Sequence, residues 1–390
     1  MYDTVVLKSP PISDYIREQV LQFCNRYEGI DVFTGELLYT FTSGALEGSY
    51  DYRIRISVDD GEWVKEGNLS PIKVHGYWYI KVECSLHKLL MNHNVFGGPT
   101  DAQASIKYLI NFLNNMMFVE LPSYELWEVE KIDVSKIFVF TDKSICKRIM
   151  NNFRNAVYTR RKPQIYDTSF MFAGSTNTLK FYWKGAEFEK HDYKRVNKYI
   201  AKTYDQAYSV DDGDLIQQHL IPLKMEFEKI RDRAWRTIRY ECSIKNRKLK
   251  ELFNSDVVLV KMLNDALLVA YANAELKKLI KEDDDMHTVR RSDLVRERLI
   301  NLYGSSYGMK LFGTWSSLVS EGELATKDTM SKSTFYDHRK LLVQSGCSWV
   351  MSNNHLKSFS VIPEDFSFLN SKYVDDSVSD VVLDKLREVA

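Results

Sequence analysis

The chain of 390 residues is long enough to bury a large core and to form two or three domains. No apolar run reaches the roughly 18 residues of a membrane span, and five scattered cysteines without a Cys-x-x-Cys pair argue against a disulfide framework or a zinc site. The net charge of zero argues against extensive nucleic-acid binding, because lysine and arginine neutralise phosphates.

Hydrophobic periodicity predicts strands and helices that alternate along the chain. The predicted strands are 4–8, 52–58, 71–86, 127–140, 169–173, 178–184 and 235–245. The predicted helices are 101–118, which Asp101 caps, 142–157, 188–204 and 221–234, followed by a mainly helical region from 256 to 345. We expect the tail after Val374 to be poorly tied down, apart from a short last helix.

This order of elements predicts an α+β fold, with a central antiparallel sheet flanked by helices, in a first domain of residues 1–255. A helical DNA-binding domain with a helix-turn-helix segment is predicted over 256–374, and residues 375–390 form the tail. Residues 82–86 resemble residues 240–244, and both copies end a predicted strand. This repeat predicts a sheet that is built from two related halves.

Side chains alternate between the two faces of a strand, so a polar and an apolar set can be separated in each predicted strand. In the strand 178–184, Lys180, Tyr182 and Lys184 share the face opposite to three apolar side chains. The polar faces of three other strands, and a position just after Tyr182, add four carboxylates: Glu83, Asp133, Glu241 and Glu187.

An antiparallel sheet with one solvated face has the same alternation without any function, and this explanation suffices for each strand taken alone. Four strands that repeat carboxylate, base and hydroxyl favour a functional site instead. Converging carboxylates repel one another unless a cation lies between them, and Mg²⁺ or Mn²⁺ prefers such oxygen ligands.

A tyrosine beside a divalent cation is suited to the cleavage of a phosphodiester. The cation withdraws charge from the phosphate, and the attacking tyrosine oxygen stores the bond energy as a phosphotyrosine that permits rejoining. Lys184 is predicted to stabilise the phenolate or the charge of the transition state.

Several segments resemble the gene II replication initiators of filamentous phages and, more distantly, the plasmid rolling-circle initiators. The most specific are His93-Asn94-Val95-Phe96-Gly97 and the spacing Tyr182-x-Lys184-x-x-Glu187. Similar segments occur at 3–8, 82–97, 131–133, 178–187 and 239–241. Asn92 stands where the family has Gly, and the His-x-His pair of many rolling-circle nucleases is absent.

The resemblance implies roles for individual residues. Tyr182 occupies the position of the nicking tyrosine, and Lys184 accompanies it. The implied ligands of Mg²⁺ or Mn²⁺ are Glu83, Asp133, Glu187, Glu241 and His93. The implied enzyme is a single-strand DNA endonuclease that nicks the plus strand of a replicative circle, holds the 5′ end on tyrosine and later rejoins it.

The resemblance also implies partners. Double-stranded origin DNA and the displaced single strand are the expected substrates. The freed 3′ hydroxyl is expected to prime a host polymerase, and a host helicase is a further implied partner. No membrane partner is expected. The unpaired cysteines and the absence of a signal-peptide pattern predict the cytoplasm of a bacterial host.

Basic residues supply the candidate DNA contacts, although charge alone is explained equally well by ordinary solvated faces. In the first domain the candidates are Arg160, Arg161, Lys162, Lys180 and Arg239. Helices predicted at 315–320 and 331–344 have a helix-turn-helix layout, for which simple helix packing is the alternative. The DNA-contacting residues of that layout are Lys332, Ser333, Thr334, His338 and Arg339.

Two further alternatives remain open from the sequence. Tyr193, Tyr199 and Tyr204 follow the tyrosine motif among basic residues, where packing and phosphate contact are favoured over a second nucleophile. A non-enzymatic DNA-binding regulator would use the same basic helices, but it has no need for convergent carboxylates.

Overall fold

The computed structural model describes residues 1–30, 33–46, 54–64, 72–153, 158, 161–209, 213–280, 289, 291–349, 366, 368 and 371–389. Within these residues, the centre of the molecule is a ten-stranded sheet in which neighbouring strands pair antiparallel. The strands are β1 (Tyr2–Lys8), β2 (Asn25–Ile30), β3 (Leu37–Ala45), β4 (Arg55–Val64), β5 (Ile72–Ser85), β6 (Glu128–Val139), β7 (Gln164–Ile165), β8 (Ser169–Phe172), β9 (Asn177–Trp183) and β10 (Thr237–Lys245).

The strand order across the sheet is β2-β3-β4-β5-β1-β6-β10-β9-β8-β7. β1 and β6 pair at the centre, and each is the first strand of its half of the chain. β5 and β10, which end the two halves and carry the repeated residues 82–85 and 240–244, flank β1 and β6 respectively. The order is therefore symmetric about the centre, as expected of two related halves.

Helices cover the sheet and form most of the C-terminal region. They are α1 (Asp14–Leu21), α2 (Leu86–Met91), α3 (Ala102–Met117), α4 (Lys143–Phe153), α5 (Lys184–Phe188), α6 (Lys194–Ser209), α7 (Gly213–Leu215), α8 (Ile221–Trp235), α9 (Asn246–Phe253), α10 (Asp265–Ile280), α11 (Ser292–Ser320), α12 (Gly322–Asp328), α13 (Lys332–Gln344) and α14 (Asp380–Arg387). π-Helical turns at Glu189–Tyr193 and Ile216–Leu220 precede α6 and α8. None of these helices in the described parts of the chain is long and apolar enough to cross a membrane.

Most predicted elements are confirmed, with shifts at their ends. α3 begins after Asp101, whose side chain caps it as predicted. The strand predicted over 178–184 ends at Trp183, and Lys184 begins α5 instead. The short helix predicted at 315–320 is the end of α11, in which Gly304, with φ of 78°, breaks the helix into two parts.

The loop after α2 explains why Asn92 replaces the Gly of the family. Asn92 ends this helix with φ of 62°, in the left-handed region, and its backbone N–H donates to the carbonyl oxygen of Lys88 at 2.7 Å. Asn is among the few residues besides Gly that adopt this conformation readily. The substitution therefore preserves the turn that leads into residues 93–97.

One face of the sheet is apolar and packs against helices. Phe181 and Tyr240 lie in contact on this face, with ring centroids 4.9 Å apart, and the Tyr240 hydroxyl donates to the carbonyl oxygen of Ala272 in α10 at 2.9 Å. The same hydrophobic core continues into α11 and α13. Because α10 packs directly on the sheet, the core is continuous across residue 255, and the boundary placed there stays a prediction.

The predicted short last helix is present as α14. The expectation that the rest of the tail is poorly tied down is wrong, because the backbone N–H of Asp375 donates to the carbonyl oxygen of Ile137 at 2.9 Å. Val382 of α14 is fully buried. The backbone N–H of Ser379 donates to the carbonyl oxygen of Gly97 at 3.2 Å, and Nζ of Lys385 donates to that of Leu90 at 2.8 Å. These bonds fasten the tail to α2 and to the loop that follows it.

Candidate active site

The polar face of the sheet forms the floor of a cleft of about 580 Å³. β1, β5, β6, β9 and β10 contribute to this floor, and α5 with the π-helical turn after it adds to the lining. The ionisable lining residues are Asp3, Glu83, Lys88, Lys131, Asp133, Tyr166, Lys180, Tyr182, Glu187, Lys190, His191 and Glu241. The sheet therefore brings together groups that are far apart along the chain.

Tyr182 lies in β9 and faces the cleft together with Lys180, as the alternation predicted. Its hydroxyl donates a hydrogen bond of 2.6 Å to Oε1 of Glu241 on the neighbouring strand β10. Burial and the charge of Glu241 raise the pKa of the Tyr182 phenol well above its usual range. The phenol is therefore neutral at rest, and its proton points toward a carboxylate that can accept it.

The predicted acids meet in this cleft, and the structure adds one more. Asp3, Glu83, Asp133 and Glu241 come from four different strands, and Glu187 comes from α5. The residues Asp3, Asp133 and Glu241 are nearly buried, with 5%, 3% and 5% exposure. Buried carboxylates are costly unless they are paired, so their partners determine what the cleft can do.

Arg239 lies beneath the cleft and joins two of these acids. It is fully buried, with Nη2 at 2.9 Å from Asp3 and Nε at 3.0 Å from Glu241. It also donates to the carbonyl oxygen of Asn94 at 2.6 Å and to the hydroxyl of Ser135 at 3.0 Å. The predicted DNA contact of Arg239 is therefore wrong, because its guanidinium is enclosed and holds the acids in place.

These contacts shift the pKa values of the acids in different directions. Burial alone would raise the pKa of Asp3, but Arg239 together with His87 and the hydrogen bond from Ser85 outweighs burial and holds it well below its usual range. Burial and repulsion by Asp3 raise the pKa of Glu241 in spite of Arg239. Burial also raises the pKa of Asp133, although Lys131 lies 3.7 Å away. Glu241 is thus a stronger proton acceptor than a solvated glutamate.

Lys184 lies behind Tyr182 rather than in the cleft. It is fully buried, and its Nζ is 5.7 Å from the centre of the Tyr182 ring. This Nζ donates hydrogen bonds to Oδ1 of Asn94 and to the carboxylate of Glu187. The structure therefore places Lys184 where it positions side chains of the site.

Asp133 provides the observation that bears on metal binding. Its Oδ1 is buried and has no hydrogen-bond partner, and carboxylate oxygens are the ligands that Mg²⁺ and Mn²⁺ prefer. The unpartnered oxygen of Asp133 therefore suits a hard divalent cation. Among the described residues, however, no three His, Cys, Asp or Glu side chains are arranged so that they could hold a metal ion.

His93 is placed differently from the predicted acids. Its ring is buried outside the cleft lining, lies 4.6 Å from the ring of Phe96, and accepts a hydrogen bond of 3.3 Å at Nδ1 from the N–H of Val95. Burial and Lys184 lower the pKa of His93 to about 3. The structure therefore supports a role in orienting this loop and does not bring His93 to the acids.

The sheet and its acidic cleft are consistent with the resemblance seen in the sequence. A comparison with known protein families shows to which family the chain belongs. The family described as the N-terminal region of the replication-associated protein of gene II matches residues 1–267. The chain belongs to this family. The predicted resemblance to the gene II replication initiators is thereby confirmed at the level of the family.

Two individual proteins are similar to the chain. The replication-associated protein of gene II from Enterobacteria phage M13 is 24% identical over 338 residues, which cover 77% of this chain and 78% of that protein. A solved rolling-circle replication initiator protein from Geobacillus stearothermophilus covers 77% of this chain and 84% of its own at 10% identity. Its TM-score of 0.25 is too low to establish a common fold.

For a member of this replication family, the basic residues around the cleft are candidates for DNA contacts. Lys180 lines the cleft, with Nζ 3.9 Å from Glu241, and Lys162 is exposed. Arg161 donates to backbone carbonyl oxygens of β8 and β9, so it stabilises their turn. Arg160 lies outside the described residues.

Of the two helices in the predicted helix-turn-helix layout, 315–320 is the end of α11 and 331–344 corresponds to α13. The segment between them, predicted as a turn, contains the short helix α12. Ser331 caps α13, accepting a hydrogen bond from the N–H of Thr334 at 3.2 Å. The side chains at the start of α13 are exposed, as a contact with the major groove requires. They include three of the predicted residues, Lys332, Ser333 and Thr334.

The next turn of α13 differs from the prediction. His338 faces inward, with Nδ1 2.7 Å from the hydroxyl oxygen of Thr314, so its predicted DNA contact is wrong. Arg339 is partly exposed, and its Nε lies 3.5 Å from a carboxylate oxygen of Glu323. A recognition surface on α13 is therefore limited to its first turn and to the exposed residues on the same side.

Sequence analysis missed a buried ion pair beside the cleft. Nζ of Lys88 in α2 lies 2.7 Å from Oδ1 of Asp192 in the π-helical turn, and both side chains are buried. The same turn brings Lys190 and His191 to the cleft. Single π-helical turns inside helices are frequent at functional sites, but their residues carry no sequence signal that distinguishes them from ordinary helix.

Proposed function

We propose that the protein nicks one strand of origin DNA with Tyr182, holds the 5′ end and later rejoins it. The observation that carries the proposal is the 2.6 Å hydrogen bond from the Tyr182 phenol to Glu241 inside a cleft lined by acids and lysines. A phenol paired with a buried carboxylate combines a nucleophile with its base. Membership of a family of replication-associated proteins supports DNA as the substrate.

In the nicking step, Glu241 accepts the phenolic proton and the oxygen of Tyr182 attacks the phosphorus of the scissile phosphodiester. A bond from phosphorus to the tyrosine oxygen forms, and the bond to the 3′ oxygen breaks. The 3′ oxygen takes up a proton from solvent and leaves as a hydroxyl. The protein then carries the 5′ phosphate of the cut strand.

Rejoining reverses these bond changes. A 3′ hydroxyl loses its proton and attacks the phosphotyrosine, the phosphodiester forms again, and the phenolate of Tyr182 recovers its proton from Glu241. The reaction needs no other energy source, because the phosphotyrosine conserves the energy of the original bond.

Lysines of the cleft are placed to stabilise the charge of the phosphate during both steps. Burial alone would lower the pKa of Lys180, but the four surrounding carboxylates, with Glu241 the strongest, together outweigh burial and raise it. Lys180 is therefore charged at neutral pH, and Lys131 lines the same cleft. Positive charge that is already in position in a cleft shielded from water stabilises a transition state more strongly than the same charge would in bulk water.

Mg²⁺ or Mn²⁺ is part of the proposal. Asp133, with its unpartnered Oδ1, and Glu241 and Asp3 are the residues that would hold the cation. The bound cation would withdraw charge from the scissile phosphate. Glu83 and Glu187, whose side chains are 41% and 27% exposed, lie nearer to solvent and are further ligands of the proposal.

The partners of the proposal follow from this chemistry. Double-stranded origin DNA is the substrate, and the exposed start of α13 is a second element that can contact it. The displaced single strand leaves the nicked duplex. The freed 3′ hydroxyl would prime a host polymerase, and a host helicase would open the duplex ahead of it.

The variant Tyr182→Phe tests the proposal on a supercoiled circle that carries the replication origin. We expect the wild-type protein with Mg²⁺ or Mn²⁺ to yield relaxed circles covalently joined to protein, whereas Tyr182→Phe yields none. Tyr166→Phe is the matched control, because Tyr166 lines the same cleft and is 58% exposed. Both covalent adduct and relaxation should also disappear when EDTA removes the cation.

Two outcomes would contradict the proposal. Nicking by Tyr182→Phe at the wild-type rate would show that Tyr182 is not the nucleophile. Specific binding of origin DNA by the wild-type protein without cleavage in either metal would instead indicate a non-enzymatic DNA-binding regulator, which the exposed start of α13 also suits.

A further inference from the structure

A row of four exposed lysines leads away from the catalytic cleft. Lys190 lines the cleft, and Lys194, Lys198 and Lys202 follow at intervals of four residues along α6. Residues four apart lie on the same side of a helix. These four residues form the lysine row, and the three that lie in α6 extend over about 12 Å at the helical rise of 1.5 Å per residue.

The lysine row has no acidic partner among the residues that the structure describes. Basic neighbours do: Lys88 and Arg195 pair with Asp192, and Arg231 pairs with Glu189. In a chain with as many acidic as basic residues, four adjacent unpaired lysines are available to neutralise phosphates. The row ends before the exposed Asp205.

Exposed tyrosine rings flank the lysine row. Tyr199 is 57% exposed and Tyr208 is 74% exposed. The opposite side of α6 packs inward through Val196 and, just before the helix, Tyr193. Rings that do not pack inside the protein can stack on the unpaired bases of a single strand, which contributes about 1–3 kcal/mol per base.

We infer that the lysine row with Tyr199 and Tyr208 binds the single-stranded DNA that leaves the cleft after nicking. This inference rests on the proposed function, because it identifies where the strand cut by Tyr182 is held. A single row of charge on one helix, with exposed rings beside it, suits a strand whose bases are free to stack. In a duplex the bases are already stacked, and the rings would find no free base.

A triple variant, Lys194→Gln with Lys198→Gln and Lys202→Gln, tests the inference in the full-length protein. Binding of a fluorescent single-stranded oligonucleotide is measured over a range of salt concentrations. Each phosphate contact on a single strand contributes about −0.7 to the slope of the logarithm of the binding constant against the logarithm of the salt concentration. The slope of the triple variant should therefore be less steep than that of the wild-type protein by about 2.

The control triple variant is Lys143→Gln with Lys147→Gln and Lys261→Gln. These lysines are exposed, lie on other elements and have no ion pair among the described residues. The control variant removes the same total charge as the first triple variant. If the lysine row has a specific role, the salt slope of the control variant should stay close to that of the wild-type protein. A separate variant, Tyr199→Ser with Tyr208→Ser, should weaken single-strand binding without changing the slope.

Three results would overturn the inference: equal slopes for the two triple variants, a loss of slope on duplex DNA only, or unchanged single-strand affinity after removal of both rings. The covalent adduct assay separates this inference from the proposed function. If the wild-type protein forms the adduct while the lysine row proves dispensable, the tyrosine mechanism stands. If the wild-type protein forms no adduct, the mechanism fails whatever the lysine row binds.

Discussion

Replacing Arg239 with methionine tests whether this guanidinium holds the acidic cleft together. Methionine keeps a long, flexible side chain in place, but it leaves Asp3 and Glu241 without the cation that lies 2.9 Å and 3.0 Å from them. Removing one member of a buried ion pair typically costs about 3–5 kcal/mol. We expect the free energy of unfolding of Arg239→Met to fall by this amount at neutral pH.

The loss depends on pH because Arg239 controls the pKa of Asp3. In the wild-type protein this pKa lies well below the unfolded value of 3.8, so ionised Asp3 stabilises the fold above that value and this contribution is lost as pH falls toward the folded pKa. Without Arg239, burial is the largest remaining influence on Asp3, and we expect it to raise the pKa of Asp3 above its unfolded value. The variant should therefore gain stability as the pH falls from about 7.5 to about 5.

Urea denaturation followed by tryptophan fluorescence at both pH values measures these differences. Arg236→Met is the matched control, because Arg236 pairs with Asp232 at 2.7 Å on the surface, where the two side chains are 37% and 71% exposed. Its cost should stay within about 1 kcal/mol. Equal, small losses for both variants, or a loss in Arg239→Met that does not change with pH, would refute the reasoning.

Two further predictions concern the base of the site and the packing behind it. Glu241→Gln should slow single-turnover nicking about 10²–10⁴-fold. Because the pKa of Glu241 is raised, the nicking rate of the wild-type protein should begin to decline at a pH above the usual carboxylate range as the pH falls. A wild-type rate that is constant down to about pH 4 would contradict the role of Glu241 as the base. Gly185→Ala should lower the free energy of unfolding by about 1–3 kcal/mol, because the new Cβ would lie 2.5 Å from Cδ2 of Trp235. Gly313→Ala, which meets no atom within 4 Å, should instead raise stability by up to about 1 kcal/mol, as urea denaturation can measure. Similar effects at both glycines would contradict the packing argument.

Strand alternation predicted the central part of the site correctly. Lys180, Tyr182 and Glu241 lie on one face of β9 and β10, as the period of two requires. The period is a local property of extended backbone, so a short segment is sufficient to reveal it. The motif spacing likewise identified the family that the match over residues 1–267 confirms.

Asp3 could not be predicted by the same rule. Strict alternation would place Asp3 on the apolar side with Val5 and Leu7, which are both buried in the core. The pairing of β1 with β6 shifts register between Tyr2 and Val5, and this irregularity lets Asp3 face the cleft. A bulge depends on how a partner strand pairs, which the sequence of one strand does not specify.

By itself, the sequence determined which residues alternate, where most helices and strands lie, the likeness of the two halves, and the replication family to which the chain belongs. These properties depend on neighbours along the chain or on motif order. Only the tertiary structure decided how deeply side chains are buried and which partners they have. It shows that Arg239 is enclosed between acids, that His338 faces inward, that Glu241 accepts a hydrogen bond from the Tyr182 hydroxyl, and that the tail is fastened to α2. The physical reason is that burial and charge pairing depend on segments that are distant along the chain, whose contacts arise only when the sheet is assembled.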